Sequence, residues 1–151
     1  MVDALDPHPA FVRRANMDIV YWNRAAQSLI VDWSTLACED RNTLKLMFLS
    51  EAYRTRIHDW EQAARQTLSA FRASYAASNQ PQAFETVIAD LLARSDAFRT
   101  LWNYHDVSKM GSGNKTIIDI AGRPNAFTYT LLQIAQTPGM HVVFYLARDT
   151  P

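Results

Sequence analysis

The stretch AFTYTLLQI (residues 126–134), the pair Pro138-Gly139 and the stretch HVVFYLA (residues 141–147) decide the predicted fold. Both stretches are rich in β-branched and aromatic residues, which favour β-strands. Proline and glycine between them are typical of a hairpin turn. A further strand is predicted over residues 116–120, after a turn signal at residues 111–114. Three consecutive strands joined by short turns predict an antiparallel sheet.

The segment before this sheet is predicted to hold one strand and a block of helices. Residues 17–22 end in IVYW, a strand pattern, whereas residues 12–16 are predicted as a polar turn. The clearest helix has apolar residues every three or four positions from Trp60 to Tyr75. Other helix starts are predicted from capping residues and from a first-turn proline: Asn23, Asp40, Pro81 and Ser95. We therefore expect an α+β fold in which the helices cover one face of an antiparallel sheet.

Length and charge narrow the class of protein. The 151 residues suit one domain, 1–151, with a sizeable core. Fifteen basic and fifteen acidic side chains cancel, which argues against direct binding to nucleic acid or to an anionic membrane surface. The one cysteine, Cys38, excludes an intrachain disulfide and is predicted to be a partly buried structural thiol. With no signal peptide and no apolar run long enough to span a membrane, we expect a cytoplasmic protein.

No motif of catalysis or metal binding fits the sequence. GSGNKT (residues 111–116) has the wrong spacing for a phosphate-binding loop. The four histidines show no helical zinc spacing, and no serine lies in a nucleophile elbow. We therefore predict no catalytic residue, no metal and no cofactor. An active site whose groups meet only in the fold stays open as an alternative.

Large apolar side chains are abundant for so small a chain, with 11% aromatic residues. One interpretation is that they fill the core, since aromatic residues at helical spacing are usually buried. The other is that some of them line an apolar cavity between sheet and helices, the usual setting for a small lipophilic ligand. Periodicity alone does not separate these interpretations.

A set of short motifs in a fixed order carries a family resemblance. They are PAFV (9–12), DIVYWNRAA (18–26), EDRNTL (39–44), MFL (47–49), DWE (59–61), LSAFR (68–72) and SDAFRTLWNYHDV (95–107). In this order they resemble the C-terminal ligand-binding domain of MmyB-like transcription regulators, members of the XRE helix-turn-helix superfamily. The resemblance covers nearly the whole chain. One departure is DIAG (119–122), where the family typically has a His-Pro pair followed by glycine.

The resemblance implies a PAS-like fold and a non-enzymatic sensor that holds a long-chain fatty acid or a similar lipophilic molecule. The residues then expected to line the ligand site are Trp22, Met47, Phe48, Phe71, Arg72, Trp102, His105, Phe127 and Tyr129. Arg72 and His105 are the candidates for the head group. Arg72 is either a solvated charge or a partner for a ligand carboxylate, which its planar fork can bind through two hydrogen bonds.

The resemblance also suggests partners. In the family an N-terminal helix-turn-helix domain binds DNA; Met1 lies only a few residues before the first motif, so we expect no such domain in this chain and no direct contact with DNA. Two rival hypotheses stay open: a ligand-free PAS-like module that forms a homodimer, and an enzyme acting on lipophilic substrates.

Overall fold

A five-stranded antiparallel sheet forms one layer of the computed structural model, which describes residues 2–103, 112–119, 121–137 and 139–148. The strands are β1 (Ala10–Arg14), β2 (Ile19–Trp22), β3 (Ser112–Ile118), β4 (Pro124–Gln133) and β5 (Met140–Ala147). Their order across the sheet is β2-β1-β5-β4-β3, and every neighbouring pair is antiparallel. The predicted α+β class is confirmed, and the likeness to PAS domains stays a prediction.

Helices make the second layer. They are α1 (Arg24–Leu29), α2 (Thr43–Leu49), α3 (Glu51–Arg56), α4 (Trp60–Ala77), α5 (Pro81–Arg94) and α6 (Asp96–Trp102), with short 3₁₀ helices at Val2–Leu5, Trp33–Thr35 and Cys38–Asp40. Two predicted caps are confirmed: the Asn23 side chain accepts from Ala26 N at 2.9 Å, and Ser95 Oγ accepts from Phe98 N at 3.0 Å. Pro81 opens α5, where its missing N–H costs no hydrogen bond.

The N-terminal predictions were wrong at two points. Residues 10–14 form strand β1, although residues 12–16 were predicted as a turn. The polar pattern misled because Arg13 is buried, with its side chain on the face of the sheet that the helices cover. Asp40 does not cap α2; Asn42 does, and its side chain accepts from Leu44 N at 2.9 Å and Lys45 N at 3.1 Å.

Three further points correct the sequence analysis. The turn predicted at residues 111–114 is strand from Ser112 onward, because β4 offers a full row of pairing partners. Helix α3 was not predicted; its six residues are too short for a clear periodic pattern. Cys38 is exposed rather than partly buried, since it lies in a surface 3₁₀ turn.

The two faces of the sheet have different neighbours. We call the face under the helices the inner face, and its buried side chains share one core with α4, α5 and α6: Phe11, Phe127, Tyr129, Val143 and Tyr145. On the outer face a second, smaller cluster joins Ala10, Val12 and Val142 to the 3₁₀ helix Val2–Leu5. The helix block therefore covers one face, as predicted, while in the described part of the chain the 3₁₀ helix Val2–Leu5 packs on the other.

The end of α3 and the segment that follows it tie the helices to strand β3. Arg56 Nε donates to Ile118 O at 3.1 Å, and its Nη1 donates to Ile30 O at 2.9 Å. His58 N donates to Thr116 O at 3.2 Å. Because α4 begins two residues later, these bonds fix where that helix starts over the inner face.

Candidate functional site

A small cavity of about 210 Å³ lies between the first half of α4 and strands β3 and β4. Its lining is largely polar and includes Gln62, Gln66, Thr67, Asn114, Lys115 and Tyr129. Tyr129 reaches its place because residue 113 is glycine: a Cβ atom there would lie 2.6 Å from Tyr129 Oη. The tyrosine ring therefore lies directly across strand β3.

The ammonium group of Lys115 lies among three tyrosines. Its Nζ is 3.4 Å from Tyr53 Oη and 5.9 Å from the ring centroids of both Tyr129 and Tyr145. The residue as a whole is only partly buried, but this charged end is turned inward. Among the described residues, no carboxylate lies within ion-pair distance of Nζ.

The charge states of this cluster follow from burial and proximity. Burial disfavours the charge on Lys115, whereas the negative charge that Tyr145, Tyr53 and Tyr129 carry when they are ionised favours it, and the pKa of Lys115 is raised above its ordinary value. Burial raises the pKa of Tyr129 and of Tyr145, although Lys115 acts in the opposite direction on both. At neutral pH the cluster is thus an ammonium group beside protonated phenols at Tyr129 and Tyr145.

A larger cleft of about 1190 Å³ lies at the other end of α4. Its walls are the second half of α4, the start of α5, the β1–β2 turn and the β4–β5 end of the sheet. Its lining combines apolar side chains, among them Ala77, Ala83, Phe84, Val87 and Met140, with polar and charged ones such as Arg14, Asp18, Glu39, Lys45 and His141. Burial, with a smaller contribution from nearby Arg13, lowers the pKa of His141, so this imidazole is neutral at neutral pH.

Both cavities are lined by the same face of α4. Ala63 and Thr67 contribute to the small cavity, and Ser74 and Ala77 contribute to the larger cleft. Ala70, which is buried, lies between these pairs at helical spacing. Small side chains along this face keep α4 from filling the space above the inner face of the sheet.

The predicted ligand residues of the helices lie mostly in the core. Met47 and Phe71 are fully buried, and Phe71 packs against Phe84 with ring centroids 5.2 Å apart. The ring of Phe48 lies 5.2 Å from Phe98, and that of Phe98 lies 5.4 Å from Trp102. The structure therefore brings Phe48 and Trp102 together, through Phe98.

Arg72 is not a solvated charge. It is buried, it donates from Nη2 to Trp102 O, and its guanidinium carbon lies 4.4 Å from the centroid of the Trp102 ring. These contacts hold α6 against α4. His105, the other head-group candidate, lies outside the described residues.

The predicted sheet residues lie along the inner face. Trp22 packs against Trp33 with centroids 5.5 Å apart, and Phe127 packs 6.0 Å from Tyr145. Of the predicted residues that the structure describes, only Tyr129 is part of the lining of either cavity. That these side chains contact a ligand stays a prediction.

Sequence reasoning missed Lys115, Tyr53 and Tyr145. The alternation of side chains along the strands could have placed two of them. Lys115 pairs with Phe127, and Tyr145 pairs with Tyr129. Residues paired in this way share a face, so an aromatic row on β4 places both side chains inward. The GSGNKT segment was weighed as a phosphate loop and as a turn, and neither interpretation placed its lysine on a strand.

The described residues offer neither a metal site nor a membrane-spanning helix. No group of three or more histidine, cysteine, aspartate or glutamate side chains is arranged there to hold a metal ion. Nor is any helix among those residues sufficiently long and apolar to cross a membrane.

Comparison with known proteins supplies the family. Among curated proteins, no sequence matches this chain. The family model of the MmyB-like transcription regulator ligand binding domain matches residues 1–150. Since that match covers all but one residue, the chain belongs to the family of MmyB-like transcription regulator ligand-binding domains.

Proposed function

We propose that this domain senses a long-chain fatty acid or a similar lipophilic small molecule, and that it catalyses no reaction. The observation that carries the proposal is the cleft of about 1190 Å³ between α4, α5 and the sheet. Small-molecule sites usually measure roughly 300–1,000 Å³, so this cleft has room for an extended chain. A ligand-binding role is the one that the family model describes.

The apolar part of the cleft supports an acyl chain as the occupant. Phe84, Val87 and Met140 line it together with small side chains of α4 and α5. Each methylene that such a chain removes from water contributes about 0.8 kcal/mol. A long chain therefore binds well with few polar contacts.

Occupancy acts on the position of α4. The helix packs on the sheet through small side chains and borders both cavities, so a ligand beside it favours one placement of α4 over another. The shift is limited to the difference in ligand affinity between the two placements. In the whole regulator, we expect a helix-turn-helix domain in the cytoplasm to receive this change and to make the contacts with DNA.

A second candidate function is a dimerisation module. The outer face of the sheet exposes Leu132 and Leu146, at 53% and 41% of their full areas. Exposed leucines on a sheet face are typical of protein–protein contacts when they form a larger patch. Such a homodimer would either accompany ligand sensing or be the function of a domain that binds no ligand.

The first test identifies a bound ligand. Protein purified without added lipid is extracted with a denaturing organic solvent and analysed by mass spectrometry, and the same sample is examined by native mass spectrometry. A stoichiometric lipid in both measurements is the expected result. An empty protein that also binds no member of an acyl-chain panel would contradict the sensor hypothesis and favour the dimerisation module.

The second test places the chain in the larger cleft. Ala77 lines the cleft, while its neighbour Ala76 is also exposed on α4 but does not line it. We expect Ala77→Trp to lower hexadecanoate affinity about tenfold or more, because the indole occupies the space of several methylenes. Isothermal titration calorimetry measures this, with Ala76→Trp as the matched control. Equal affinities for the two variants would place the chain elsewhere.

A further inference from the structure

We infer that the small cavity beside Lys115 holds the carboxylate of the ligand, bound by the Lys115 ammonium group and by the hydroxyls of Tyr53 and Tyr129. This inference rests on the proposed function, since it assigns the head-group end of the same ligand. It replaces Arg72 and His105, the head-group candidates of the sequence analysis, with Lys115 and Tyr129, which line the cavity, and with Tyr53, whose hydroxyl lies beside the Lys115 ammonium group.

The first argument is the unbalanced charge. Lys45, the other lysine that the structure places inside, has Asp90 at 2.9 Å and Glu39 O at 2.8 Å. Lys115 has neutral phenols instead, and within the described part of the chain no acidic side chain forms an ion pair with it. An inward-facing cation without a counter-charge is costly, and a ligand carboxylate supplies that charge.

Asp59, the acidic residue in the lining of the small cavity, is not the counter-charge of Lys115. Asp59 borders the cavity, but it is exposed, and it follows His58, which is also exposed. Both side chains therefore belong to the mouth of the cavity rather than to its interior. A carboxylate that enters past them meets Lys115 at the inner end.

The second argument is the supply of hydrogen-bond donors. A carboxylate accepts several hydrogen bonds, and those from charged or hydroxyl donors are the strongest. Tyr53 Oη lies 3.4 Å from Lys115 Nζ, and the ring of Tyr129 borders the same cavity. The raised pKa of Tyr129 keeps its phenol protonated, so that it donates rather than repels.

The third argument is size. The cavity of about 210 Å³ equals the share of roughly seven water molecules at about 30 Å³ each, enough for a carboxylate and a few carbons but not for a long chain. The chain must then continue along α4 past Ala70, which is buried, so its passage requires α4 to move outward from the sheet. Thr67 in the small cavity and Ser74 in the larger cleft are separated by roughly 10 Å of helix, a span that an extended acyl chain covers.

The test compares an acid with its alcohol. Decanoate and decan-1-ol share their chain but differ in charge, and their affinities for the wild-type domain are measured by calorimetry at neutral pH. We expect Lys115→Met to weaken decanoate binding at least tenfold and to leave decanol binding within twofold. Tyr53→Phe, which removes only a hydroxyl, should weaken decanoate binding about threefold and decanol binding not at all.

Two controls separate charge at this site from charge in general. Lys115→Arg retains the cation and should preserve most of the preference for decanoate. Arg65→Met removes a positive charge from the exposed side of α4, where Arg65 pairs with Glu61 at 2.8 Å, and should change neither affinity. Circular dichroism of each variant reports whether it is folded.

The outcomes distinguish the inference from the function beneath it. If Lys115→Met and Tyr53→Phe leave decanoate affinity unchanged while the wild type binds both ligands, the head group lies elsewhere and the sensor proposal stands. If each variant weakens both ligands equally, Lys115 is structural and the inference is wrong. If the wild type binds neither ligand, the inference and the proposed function both fail.

Discussion

Asn23 ties three separate parts of the chain together with one side chain. Its Oδ1 accepts from Ala10 N at 3.1 Å and from Ala26 N at 2.9 Å, while its Nδ2 donates to Val2 O at 3.2 Å and to His8 O at 2.8 Å. The capping bond to Ala26 was predictable from the sequence, because asparagine before a helical pattern is a common cap. The other three bonds depend on how β1 and the N-terminal turn fold back, which no local pattern encodes.

We expect Asn23→Ala to lower the free energy of unfolding by about 2–4 kcal/mol. The variant loses a cap, worth about 1 kcal/mol, and leaves buried backbone groups without partners at about 1–3 kcal/mol each. Urea unfolding followed by circular dichroism measures the change. Asn79→Ala, at an exposed loop position, is the control and should stay within about 0.5 kcal/mol of wild type. A similar small effect at Asn23 would show that water replaces its bonds.

At the scale of elements, ion pairs join α5 to α2 and to the 3₁₀ helix Cys38–Asp40. Asp90 lies 2.9 Å from both Lys45 on α2 and Arg94 on α5, and Arg94 reaches Asp40 at 2.8 Å. The apolar stripe of α5 was predicted from its spacing, and Phe84 and Leu91 are indeed buried. The partners of its polar side were not predictable, because charges on different elements meet only through the packing of those elements.

Asp90 should make stability depend on acid. The hydrogen bond from Lys45, opposed by partial burial and helped by Arg94, holds the pKa of Asp90 below its ordinary value of 3.8. The unfolded chain therefore takes up a proton more readily than the folded one. The stabilisation is fully present above the ordinary pKa of Asp90 and is lost as the pH falls through the lower pKa of the folded state. We expect Asp90→Asn to lower the free energy of unfolding by about 1–3 kcal/mol at pH 7. Between pH 7 and about pH 3, the variant should lose less stability than the wild type does.

Urea unfolding at a series of pH values measures this dependence. Glu61→Gln removes a carboxylate from an exposed pair on α4 and serves as the control, since such pairs contribute little. Parallel pH curves for Asp90→Asn and the wild type would show that the network does not act through Asp90.

At the scale of the whole molecule, the sequence predicted neighbouring strands better than distant ones. The β4–β5 hairpin follows from two strand patterns around a turn, and it is confirmed. The pairing of β1 with β5 was missed, since it joins distant parts of the chain and β1 was taken for a turn. For the site, aromatic residues such as Phe71 proved to be core, whereas the polar side chains around the small cavity were overlooked.

A single domain over residues 1–151 stays a prediction, and ligand binding offers a test of it. At a decanoate concentration one hundred times Kd, linkage stabilises the binding-competent fold by about 2.7 kcal/mol. If sheet and helices unfold together, scanning calorimetry should show one thermal unfolding transition, and decanoate should raise its midpoint temperature. Two transitions, of which decanoate moves only one, would mean that the layers unfold separately.

The strand order β2-β1-β5-β4-β3 also has a consequence for synthesis on the ribosome. Strand β1 emerges early, yet one of its two edges has no partner until β5 has been made and released. Translation proceeds at roughly 5–20 residues per second, so that edge waits for on the order of ten seconds. During this interval the nascent chain exposes a strand edge that invites aggregation, which makes the early β1–β2 hairpin a natural target for a chaperone.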